Sequence, residues 1–325
     1  MSKILVTGGA GFIGSNLCDA LVKEGHIVTC LDNFSTGHIE NISHLLDNHA
    51  DTFRLIEGDI RSFETCIKAT SGIEYVFHEA ALGSIPRSIN DPITTNEVNI
   101  CGFLNILVAA RDTGVKRLIF ATSSSTYGDN EKCPKTENNI GSPLSPYALT
   151  KQVNELYAEV FAKTYNTEYI GLRYFNVFGP RQDPNSMYAA VIPLFIKQYM
   201  AHRSPHIYGD GSNSRDFTYV DNVVRMNLLA LKTSDRTAIN QIYNTACGEE
   251  TTINQLSKTI KSILLEYDPH IMNINPIYDD ARIGEVIHSI ANIEKANKLL
   301  GYSPSFSFYE GLCATIDWYW NNRII

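Results

Sequence analysis

Tyr147 and Lys151 are the two residues of this 325-residue chain whose types and spacing most directly suggest chemistry. They lie four positions apart, so a helix would place both side chains on one face. A phenol ordinarily has a pKa near ~10, and a neighbouring ammonium favours its ionised form. We therefore predict an acid–base pair in which Lys151 lowers the pKa of Tyr147, so that the tyrosine can accept a proton.

Hydroxyl groups precede this pair at Ser123, Ser124 and Ser125, directly after the apolar run 118–121. If that run is a strand, the hydroxyls lie at its carboxyl end, where doubly wound sheets bind ligands. A polar loop without a role is the alternative. Pro146 and Ser145 come just before Tyr147, which predicts a helix that begins there with the serine as its cap.

A glycine-rich turn follows the apolar run 4–6 and opens a helical pattern, with the spacing Gly9-x-Gly11-x-x-Gly14 and a further glycine at Gly8. Such a turn lets the backbone approach a dinucleotide pyrophosphate at a helix N-terminus. Asp32 lies 21 residues after Gly11, where a carboxylate binds ribose hydroxyls and would repel the 2′-phosphate of NADP. A turn or capping role is the alternative for Asp32. We predict bound NAD beside the acid–base pair, where the positive charge of its nicotinamide would also favour the phenolate of Tyr147.

Alternating short apolar runs and longer helical patterns would position these groups. The pattern predicts βαβ units and an α/β fold with a Rossmann-type, doubly wound parallel sheet. The predicted strands are 4–6, 27–31, 53–56, 75–77, 118–121 and 169–172, and the predicted helices are 13–23, 63–70, 95–113 and 146–165. The helical spacing is clearest over 99–111.

Regular alternation fades after Gly179 and Pro180. We predict an NAD-binding domain over 1–180 and a smaller, mixed α/β substrate domain over 181–325. The segment near 217–246 has a strand–helix–strand pattern and is predicted to return to the first sheet.

Composition excludes several classes of function. The formal net charge is −8 with no run of Lys or Arg, which argues against nucleic-acid binding. We expect no apolar stretch that approaches the roughly 20 residues of a membrane span, and the N-terminus is predicted to be a strand and not a signal peptide. Seven scattered cysteines predict free thiols in a reducing cytoplasm, and the histidine spacing predicts no metal site.

Longer motifs resemble the extended short-chain dehydrogenase/reductases over nearly the whole chain. They are TGGAGFIGSNL at 7–17, LDNFSTG at 31–37, GDI at 58–60, HEAAL at 78–82, SSSTYG at 123–128, SPYALTK at 145–151 and LRYFNVFGPRQDP at 172–184. Within this family the chain is most similar to UDP-sugar 4-epimerases that prefer N-acetylated sugars, such as UDP-N-acetylglucosamine 4-epimerases. That closer similarity is carried by ALGSIPRSINDPITTN at 81–96, AAVIP at 189–193 and SRDFTYVDN at 214–222.

The resemblance implies a set of cofactor-binding residues that surround NAD. In it, Asp59 and Ile60 would flank adenine, and Tyr174 would lie near nicotinamide. The full set is Gly8, Gly11, Phe12, Ile13, Gly14, Asp32, Asn33, Ser35, Thr36, Gly37, Asp59, Ile60, Ala80, Ala81, Asn99, Tyr147, Lys151 and Tyr174.

It also implies a catalytic set of Ser123, Tyr147 and Lys151, and a substrate-binding set. In the latter, Asn176 would bind the sugar diphosphate, two residues would hold the uridine, and two arginines would bind the pyrophosphate. The substrate-binding set is Gly83, Ser84, Ser123, Ser124, Tyr147, Asn176, Val191 and Tyr208 (uridine), Arg215 and Arg282 (pyrophosphate), and Ser289.

The implied reaction is a UDP-hexose 4-epimerisation that interconverts UDP-GlcNAc and UDP-GalNAc, with UDP-glucose and UDP-galactose as further candidates. Tyr147 would take the proton of the 4-hydroxyl, Ser123 would hydrogen-bond the same oxygen, and hydride would pass to NAD and back through a 4-keto sugar. Ser289 follows Arg282 by seven residues, where a bulky Tyr restricts relatives to glucose and galactose, so it would leave room for an N-acetyl group.

Other activities stay open on the same scaffold. A 4,6-dehydratase is disfavoured because Ser124 and Ser125 stand where related dehydratases have an Asp-Glu pair, and a decarboxylase lacks a matching Glu there. A non-catalytic NAD-binding protein is disfavoured because the catalytic set is intact. An epimerase of N-acetylated uronic acids is the close alternative. Relatives read R-x-G-D-V-R-H-S where this chain has Glu285 and Ile287, and the lost arginine leans against an acidic sugar.

The family resemblance also implies a cytoplasmic homodimer that takes a UDP-sugar as its small-molecule partner. The predicted helices 95–113 and 146–165 are the candidate interface faces, although their apolar stripes could equally pack in the core.

Overall fold

A computed structural model describes residues 1–186, 189–281 and 288–322 of the protein. Its strands are β1 Lys3–Thr7, β2 Ile27–Asp32, β3 Phe53–Glu57, β4 Tyr75–His78, β5 Arg117–Ser123, β6 Glu168–Tyr174, β7 Val177–Phe178, β8 His206–Tyr208, β9 Ser214–Arg215, β10 Thr218–Tyr219, β11 Gln241–Thr245, β12 Thr251–Thr252, β13 Ile277–Asp279 and β14 His288–Ser289.

Helices connect most of these strands. They are α1 Phe12–Lys23, α2 Ser43–Asn48, α3 Phe63–Thr70, α4 Ile85–Asn90, α5 Pro92–Asn96, α6 Phe103–Asp112, α7 Pro146–Tyr165, α8 Val191–Met200, α9 Val220–Lys232, α10 Ile253–Leu264, α11 Glu294–Leu300 and α12 Phe308–Asn321. Short 3₁₀ turns occupy Ile39–Asn41, Ser124–Tyr127 and Pro269–Asn273, and Glu97–Gly102 is a π-helical segment.

Seven parallel strands form the main sheet in the order β11-β6-β5-β4-β1-β2-β3. β1 pairs with β2 on one side and with β4 on the other, so the strand order reverses there. Open α/β sheets bind ligands outside the carboxyl ends of their strands at such a switch point. This arrangement confirms the predicted Rossmann-type, doubly wound sheet.

Apolar side chains cover both faces of this sheet. On one face α1 and α9 pack through residues such as Leu17 and Met226, and on the other α6 and α3 pack around Phe103 and Cys66. Fully burying one large aliphatic or aromatic side chain contributes about 1.5–3 kcal/mol. The two faces therefore hold the strand ends in fixed positions around the switch point.

The six predicted strands and the helices 13–23, 63–70 and 146–165 are confirmed to within two residues at each end. The helix predicted over 95–113 is confirmed as the continuous helix Pro92–Asp112, but its middle is not α-helical, because α5 passes into α6 through the π-helical segment Glu97–Gly102. Such wide turns accommodate an extra residue and often occur at functional sites. Here the segment carries Asn99, whose amide is fully used inside the fold.

The expectation that no segment has the length and apolar character of a membrane span also needs correction. Pro92–Asp112 is a continuous helical segment of 21 residues with mean hydropathy 1.3, and it passes that test by length and composition. Its Ile106 and Ala109 are fully buried against the sheet face. A core helix of this kind satisfies the same composition test as a membrane helix, which is why hydropathy alone does not separate the two.

Residues after 180 contribute to the main sheet and also form smaller ones. β11 pairs in parallel with β6, and α9 packs on α1, so the segment near 217–246 reaches the large sheet. The three-stranded sheet β12-β9-β14 and a second apolar core among α8, α10 and α12 lie beside it. The division into two domains at residue 180 stays a prediction.

Candidate active site

The helix α7 begins as predicted. The Ser145 hydroxyl oxygen accepts a hydrogen bond from the backbone N–H of Ala148 at 3.1 Å, and Pro146 occupies the first helical position. Both features favour a helix start, because proline has no N–H to satisfy and serine satisfies one of the free donors. Tyr147 thus projects from the first turn of α7 and Lys151 from the next, on the same face.

Ser123 is the last residue of β5 and meets Tyr147 across the site. Its Oγ accepts the backbone N–H of Ser125 at 3.1 Å, which orients the hydroxyl at the strand end. A side-chain hydrogen bond from Ser123 lowers the pKa of Tyr147, but burial raises it by more, so the net pKa is above the ordinary phenol value. The structure therefore brings the predicted catalytic tyrosine and serine together.

Lys151 is buried, with 3% of its surface exposed, and its Nζ donates to the Ala121 carbonyl oxygen at 2.8 Å. Burial lowers its pKa to about 8, and the carboxylates of Glu79 and Glu155 oppose that shift. The prediction that this ammonium lowers the pKa of Tyr147 is wrong for the structure as described. Lys151 is directed to the end of β5, and desolvation controls the pKa of the phenol instead.

The glycine turn between β1 and α1 has the shape required of a pyrophosphate cradle. Gly8 has φ +69°, and a Cβ added there would lie 2.7 Å from the Ala80 backbone nitrogen. A Cβ at Gly14 would lie 2.1 Å from the Gly8 carbonyl oxygen. Gly11 caps α1 without any side-chain hydrogen bond to the first turn. Only glycine fits at positions 8 and 14, and the N-terminus of α1 is left for an anionic ligand, so the residues present fit a dinucleotide.

Asp32, at the end of β2, is buried and already holds this turn together. Its Oδ2 accepts the Ala10 N–H and its Oδ1 accepts the Phe34 N–H, both at 2.9 Å. A carboxylate can accept about four hydrogen bonds, so these two contacts leave capacity for ribose hydroxyls. The turn-forming role and the predicted ribose-binding role are therefore compatible in one residue. A Cβ at Gly37 would lie 3.0 Å from the same Oδ2, which shows how closely that loop passes.

The predicted adenine side of the site lies beyond the ends of β2 and β3. Asn33 Nδ2 donates to Asp59 Oδ2 at 2.8 Å, and the Arg61 guanidinium lowers the pKa of the Asp59 carboxyl to about 2. Ile60 is buried behind it. Ser35 and Thr36 are exposed in the loop that precedes Gly37.

Asn99 connects the π-helical segment to the cofactor side of the sheet. Its Oδ1 accepts the Leu82 N–H at 2.8 Å, and its Nδ2 donates to the Leu82 carbonyl at 3.2 Å and to the Thr150 hydroxyl at 3.1 Å. These bonds fix the loop that carries Ala80 and Ala81 after β4. Asn99 thus connects that loop to Thr150 of α7, the residue just before Lys151.

The predicted substrate residues lie around the smaller sheets. Arg215 and Ser289 are direct neighbours in the parallel pair β9–β14. Asn176 has φ +32° and its Nδ2 donates to the Asp216 carbonyl at 3.1 Å, one residue beyond Arg215. Val191 is the first residue of α8.

The remaining predicted substrate residues lie in other parts of the structure, at β8, at α4 and after β5. Tyr208 ends β8 with 38% of its surface exposed. Ser84 caps α4 through its bond from the Arg87 N–H at 3.2 Å, and a Cβ on Gly83 would meet nothing within 4 Å. Ser124 opens the 3₁₀ turn after β5. Arg282, like the departures at Glu285 and Ile287, lies outside the described residues.

Sequence reasoning missed one ionisable group at the site, Glu79. It follows β4 directly, accepts a hydrogen bond from the Tyr174 hydroxyl at 2.8 Å, and has its pKa raised by burial to about 7. A carboxylate immediately after a buried strand, inside the motif HEAAL, was the signal that could have identified it.

A parallel sheet with a glycine turn at its switch point and a serine–tyrosine–lysine group beside it defines a nucleotide-cofactor enzyme of the short-chain dehydrogenase/reductase type. The family model described as "NAD dependent epimerase/dehydratase family" matches residues 4–246. The chain belongs to this family, and NAD is its cofactor.

Individual relatives cover the chain almost completely. A putative UDP-glucose 4-epimerase of Methanocaldococcus jannaschii is 37% identical over 98% of this chain and 99% of its own length. The structure of a UDP-N-acetylglucosamine 4-epimerase from Methanobrevibacter ruminantium, in complex with UDP-N-acetylmuramic acid, is 39% identical with a TM-score of 0.91 over 99% of each chain. A UDP-glucuronic acid 4-epimerase from Bacillus cereus, with UDP-glucuronic acid and NAD, is 31% identical with a TM-score of 0.89 over 98% and 99% of the two chains.

Proposed function

We propose that the protein is a cytoplasmic UDP-hexose 4-epimerase that interconverts UDP-GlcNAc and UDP-GalNAc and also accepts UDP-glucose and UDP-galactose. The observation that carries this proposal is the placement of Ser123, at the end of β5, beside Tyr147 of α7, where the serine hydroxyl acts on the phenol. The relatives described as 4-epimerases support inversion at C4. All seven cysteines are free thiols, as expected in a reducing compartment.

In the proposed reaction, Tyr147 reacts as its phenolate, which the positive charge of bound NAD would favour against the effect of burial. The phenolate accepts the proton of the sugar 4-hydroxyl, and Ser123 donates a hydrogen bond that holds the same oxygen. NAD held by the glycine turn and Asp32 would supply the acceptor and donor for the C4 hydride, which would return to the opposite face of the sugar. Tyr147 then gives its proton back to the 4-oxygen. Because the proton and the hydride both return to the sugar, the reaction needs a single acid–base residue and no carboxylic acid.

Elimination chemistry finds less support at the same site. The residues after Ser123 are Ser124 and Ser125, which form the first positions of a 3₁₀ turn and carry no carboxyl group. Removal of water from a 4-keto sugar requires further acid–base groups near C5 and C6. Inversion is therefore the reaction that these side chains fit best.

The proposed nucleotide site is formed by the residues after β6 and around the small sheets. Arg215 and the undescribed Arg282 would bind the pyrophosphate, since guanidinium groups offer paired donors to phosphate oxygens. Asn176 would contact the sugar diphosphate, and Val191 with Tyr208 would enclose the uridine.

The proposed substrate preference rests on small residues in two walls of the proposed sugar pocket. Gly83 and Ser84 would form one wall, and Ser289, beside Arg215 in the β9–β14 pair, would form the other. A relative whose structure contains UDP-N-acetylmuramic acid supports an N-acetylated sugar. The alternative is a 4-epimerase of N-acetylated hexosaminuronates, and a relative with bound UDP-glucuronic acid supports the acidic sugar, though not the N-acetyl group, of that alternative.

We also propose a homodimer formed through α7 and the helices packed beside it. Leu149, Leu156 and Val160 form one stripe along α7, and they are 48%, 56% and 54% exposed. Ile89 and Ile93, on the neighbouring α4 and α5, are 61% and 72% exposed. Exposed apolar side chains grouped on adjacent helices are typical of a protein–protein interface, and a second copy of the chain presents the same surface.

Product analysis with purified protein tests the proposed activity. UDP-GlcNAc, UDP-GalNAc, UDP-glucose, UDP-galactose and the N-acetylated uronic acids are each supplied without added NAD. We expect inversion at C4 of the neutral N-acetylated sugars, with no net reduction. Loss of water or of carbon dioxide would overturn the epimerase assignment, and turnover of uronic acids alone would favour the alternative.

A further inference from the structure

Three neighbouring strands end around Glu79. The order β6-β5-β4 places the carboxyl ends of these strands side by side, and Glu79 follows β4 directly. Tyr174, the last residue of β6, donates its hydroxyl to Glu79 Oε1 at 2.8 Å. Asn227 of α9 donates Nδ2 to that same hydroxyl at 2.8 Å. The carboxylate is therefore held in one orientation from the sheet and from a helix behind it.

Lys151 of α7 donates Nζ to the Ala121 carbonyl of β5 at 2.8 Å. His78 is opposite Phe120 in the parallel pair of β4 and β5, so the residues that follow them, Glu79 and Ala121, lie side by side. Two carboxylates act favourably on its ammonium, those of Glu79 and Glu155. Glu155 is already paired, because Arg173 donates to both of its oxygens at 2.9 and 2.7 Å. Glu79 is thus the carboxylate near Lys151 whose charge is not already matched by that arginine.

Other ionisable groups near the pair carry no competing charge. His78 is buried and its pKa is lowered to about 3, so the imidazole is neutral. Burial raises the pKa of Tyr147 and of Tyr174, so both phenols are protonated at neutral pH. The electrostatic balance of this part of the site thus rests on one carboxyl and one ammonium, each buried and each favouring the charged form of the other.

We propose that Glu79 is the counter-charge of Lys151, a positioning residue whose carboxylate keeps the ammonium charged and in place beside the Tyr147 and Ser123 pair. This proposal rests on the proposed function only for its catalytic consequence. The pairing itself is a property of the protein without substrate. Glu79 exchanges no proton with the sugar in this proposal.

The pairing predicts the titration of Lys151 in a matched set of variants. The substitution Glu79→Gln keeps an acceptor for the Tyr174 hydroxyl and removes only the charge. Lysine side-chain NMR, with the Lys151 signal assigned from a Lys151→Arg variant, should show a Lys151 pKa that is lower by about one pH unit or more, because a neighbouring opposite charge typically shifts a pKa by about that amount. Glu79→Asp, which retains the charge, should restore most of the difference.

Glu64→Gln serves as the control, since Glu64 is exposed on α3. It should leave the Lys151 titration unchanged. A Glu79→Gln protein in which Lys151 titrates as in the parent would overturn the proposal. If that variant does not fold, the same NMR titration of the parent protein tests the pairing. The Lys151 signal should then show a second transition near pH 7, where Glu79 ionises. A single transition would contradict the pairing.

Activity gives a separate readout. In Glu79→Gln the kcat for 4-epimerisation should fall at alkaline pH, with the alkaline limb moved to lower pH, while the KM for the UDP-sugar stays the same. The two proposals fail in different ways. Absence of C4 inversion in the parent protein would refute the proposed function without affecting the NMR result. An unchanged Lys151 titration in Glu79→Gln would refute only the role of Glu79.

Discussion

At the scale of single residues, burial decides the charges of this site. The phenol of Tyr147 has its pKa raised and the ammonium of Lys151 has its pKa lowered, and both shifts come first from desolvation. Each group is therefore closer to neutrality than in water. A proton can pass between such groups and a substrate oxygen with little change in the total charge of the site.

Removal of the Tyr147 hydroxyl tests its role as the acid–base residue. Tyr147→Phe should lower kcat by about 10²–10⁴-fold, the usual contribution of a positioned proton-transfer group. The KM for UDP-GlcNAc should change little. Tyr165→Phe, at the far end of the same helix, is the control and should retain parental activity; a Tyr147→Phe enzyme with full kcat would remove this tyrosine from the mechanism.

A bulky residue at position 289 tests the proposed substrate preference. Ser289→Tyr should abolish turnover of UDP-GlcNAc and UDP-GalNAc while UDP-glucose and UDP-galactose are still interconverted, because the phenol ring would occupy the volume proposed for the acetamido group. Comparing kcat/KM for the two pairs of substrates measures the effect. Ser289→Ala should keep both activities, and an equal loss of both in Ser289→Tyr would refute the assigned wall.

At the scale of elements, the site depends on where helices begin. α7 begins at a serine cap and a proline that the sequence shows plainly, so the placement of Tyr147 and Lys151 was predictable. α1 begins at Gly11 without a side-chain cap, which the glycine spacing also predicts. The π-helical segment at Glu97–Gly102 was not predictable, because its helical periodicity resembles that of an ordinary α-helix.

Close packing of α1 on the glycine turn can be tested at Gly14. In Gly14→Ala the new Cβ would lie 2.1 Å from the Gly8 carbonyl oxygen, so the turn must open. We expect a loss of roughly 1–3 kcal/mol in the free energy of unfolding, as for other overpacked sites, together with loss of bound NAD. Chemical denaturation and the absorbance of the cofactor released on denaturation measure the two effects.

Gly25→Ala is the control for that experiment. Gly25 has φ +82° with no atom within 4 Å of an added Cβ, so alanine there adds only backbone strain of roughly 1–2 kcal/mol. It should lower stability while the purified protein retains its NAD. Cofactor loss of equal extent in both variants would mean that general destabilisation, and not the shape of the turn, accounts for the effect of Gly14→Ala.

At the scale of the whole molecule, the sequence predicts what depends on local pattern and misses what depends on distant contacts. The sheet, the glycine turn and the start of α7 follow from short segments. The charge states of Tyr147 and Lys151 depend on burial by segments that are distant in sequence. The pKa of Tyr147 is therefore raised in the structure, where the sequence predicted a lower value. The role of Glu79 depends on partners at positions 151, 174 and 227, which no single motif contains.

Glutamate substitutions in the apolar stripe of α7 test the proposed homodimer. Leu156→Glu combined with Val160→Glu should convert the dimer to single chains, because burial of each aliphatic side chain is worth about 1.5–3 kcal/mol and buried unpaired carboxylates are costly. Sedimentation or light scattering measures the mass. Met272→Glu, an exposed apolar residue away from α7, should leave the mass unchanged. A parent protein that is already monomeric would contradict the interface.

Because the chain returns to the main sheet after residue 180, the enzyme cannot be divided there into two intact fragments. α9 and β11 come from beyond residue 180, yet Val223 and Met226 lie in the core with α1, and β11 forms the sheet edge beside β6. A fragment that stopped at residue 180 would expose both that edge and that core. The residues after 180 therefore cannot be exchanged as a separate unit without disrupting the main sheet and its core.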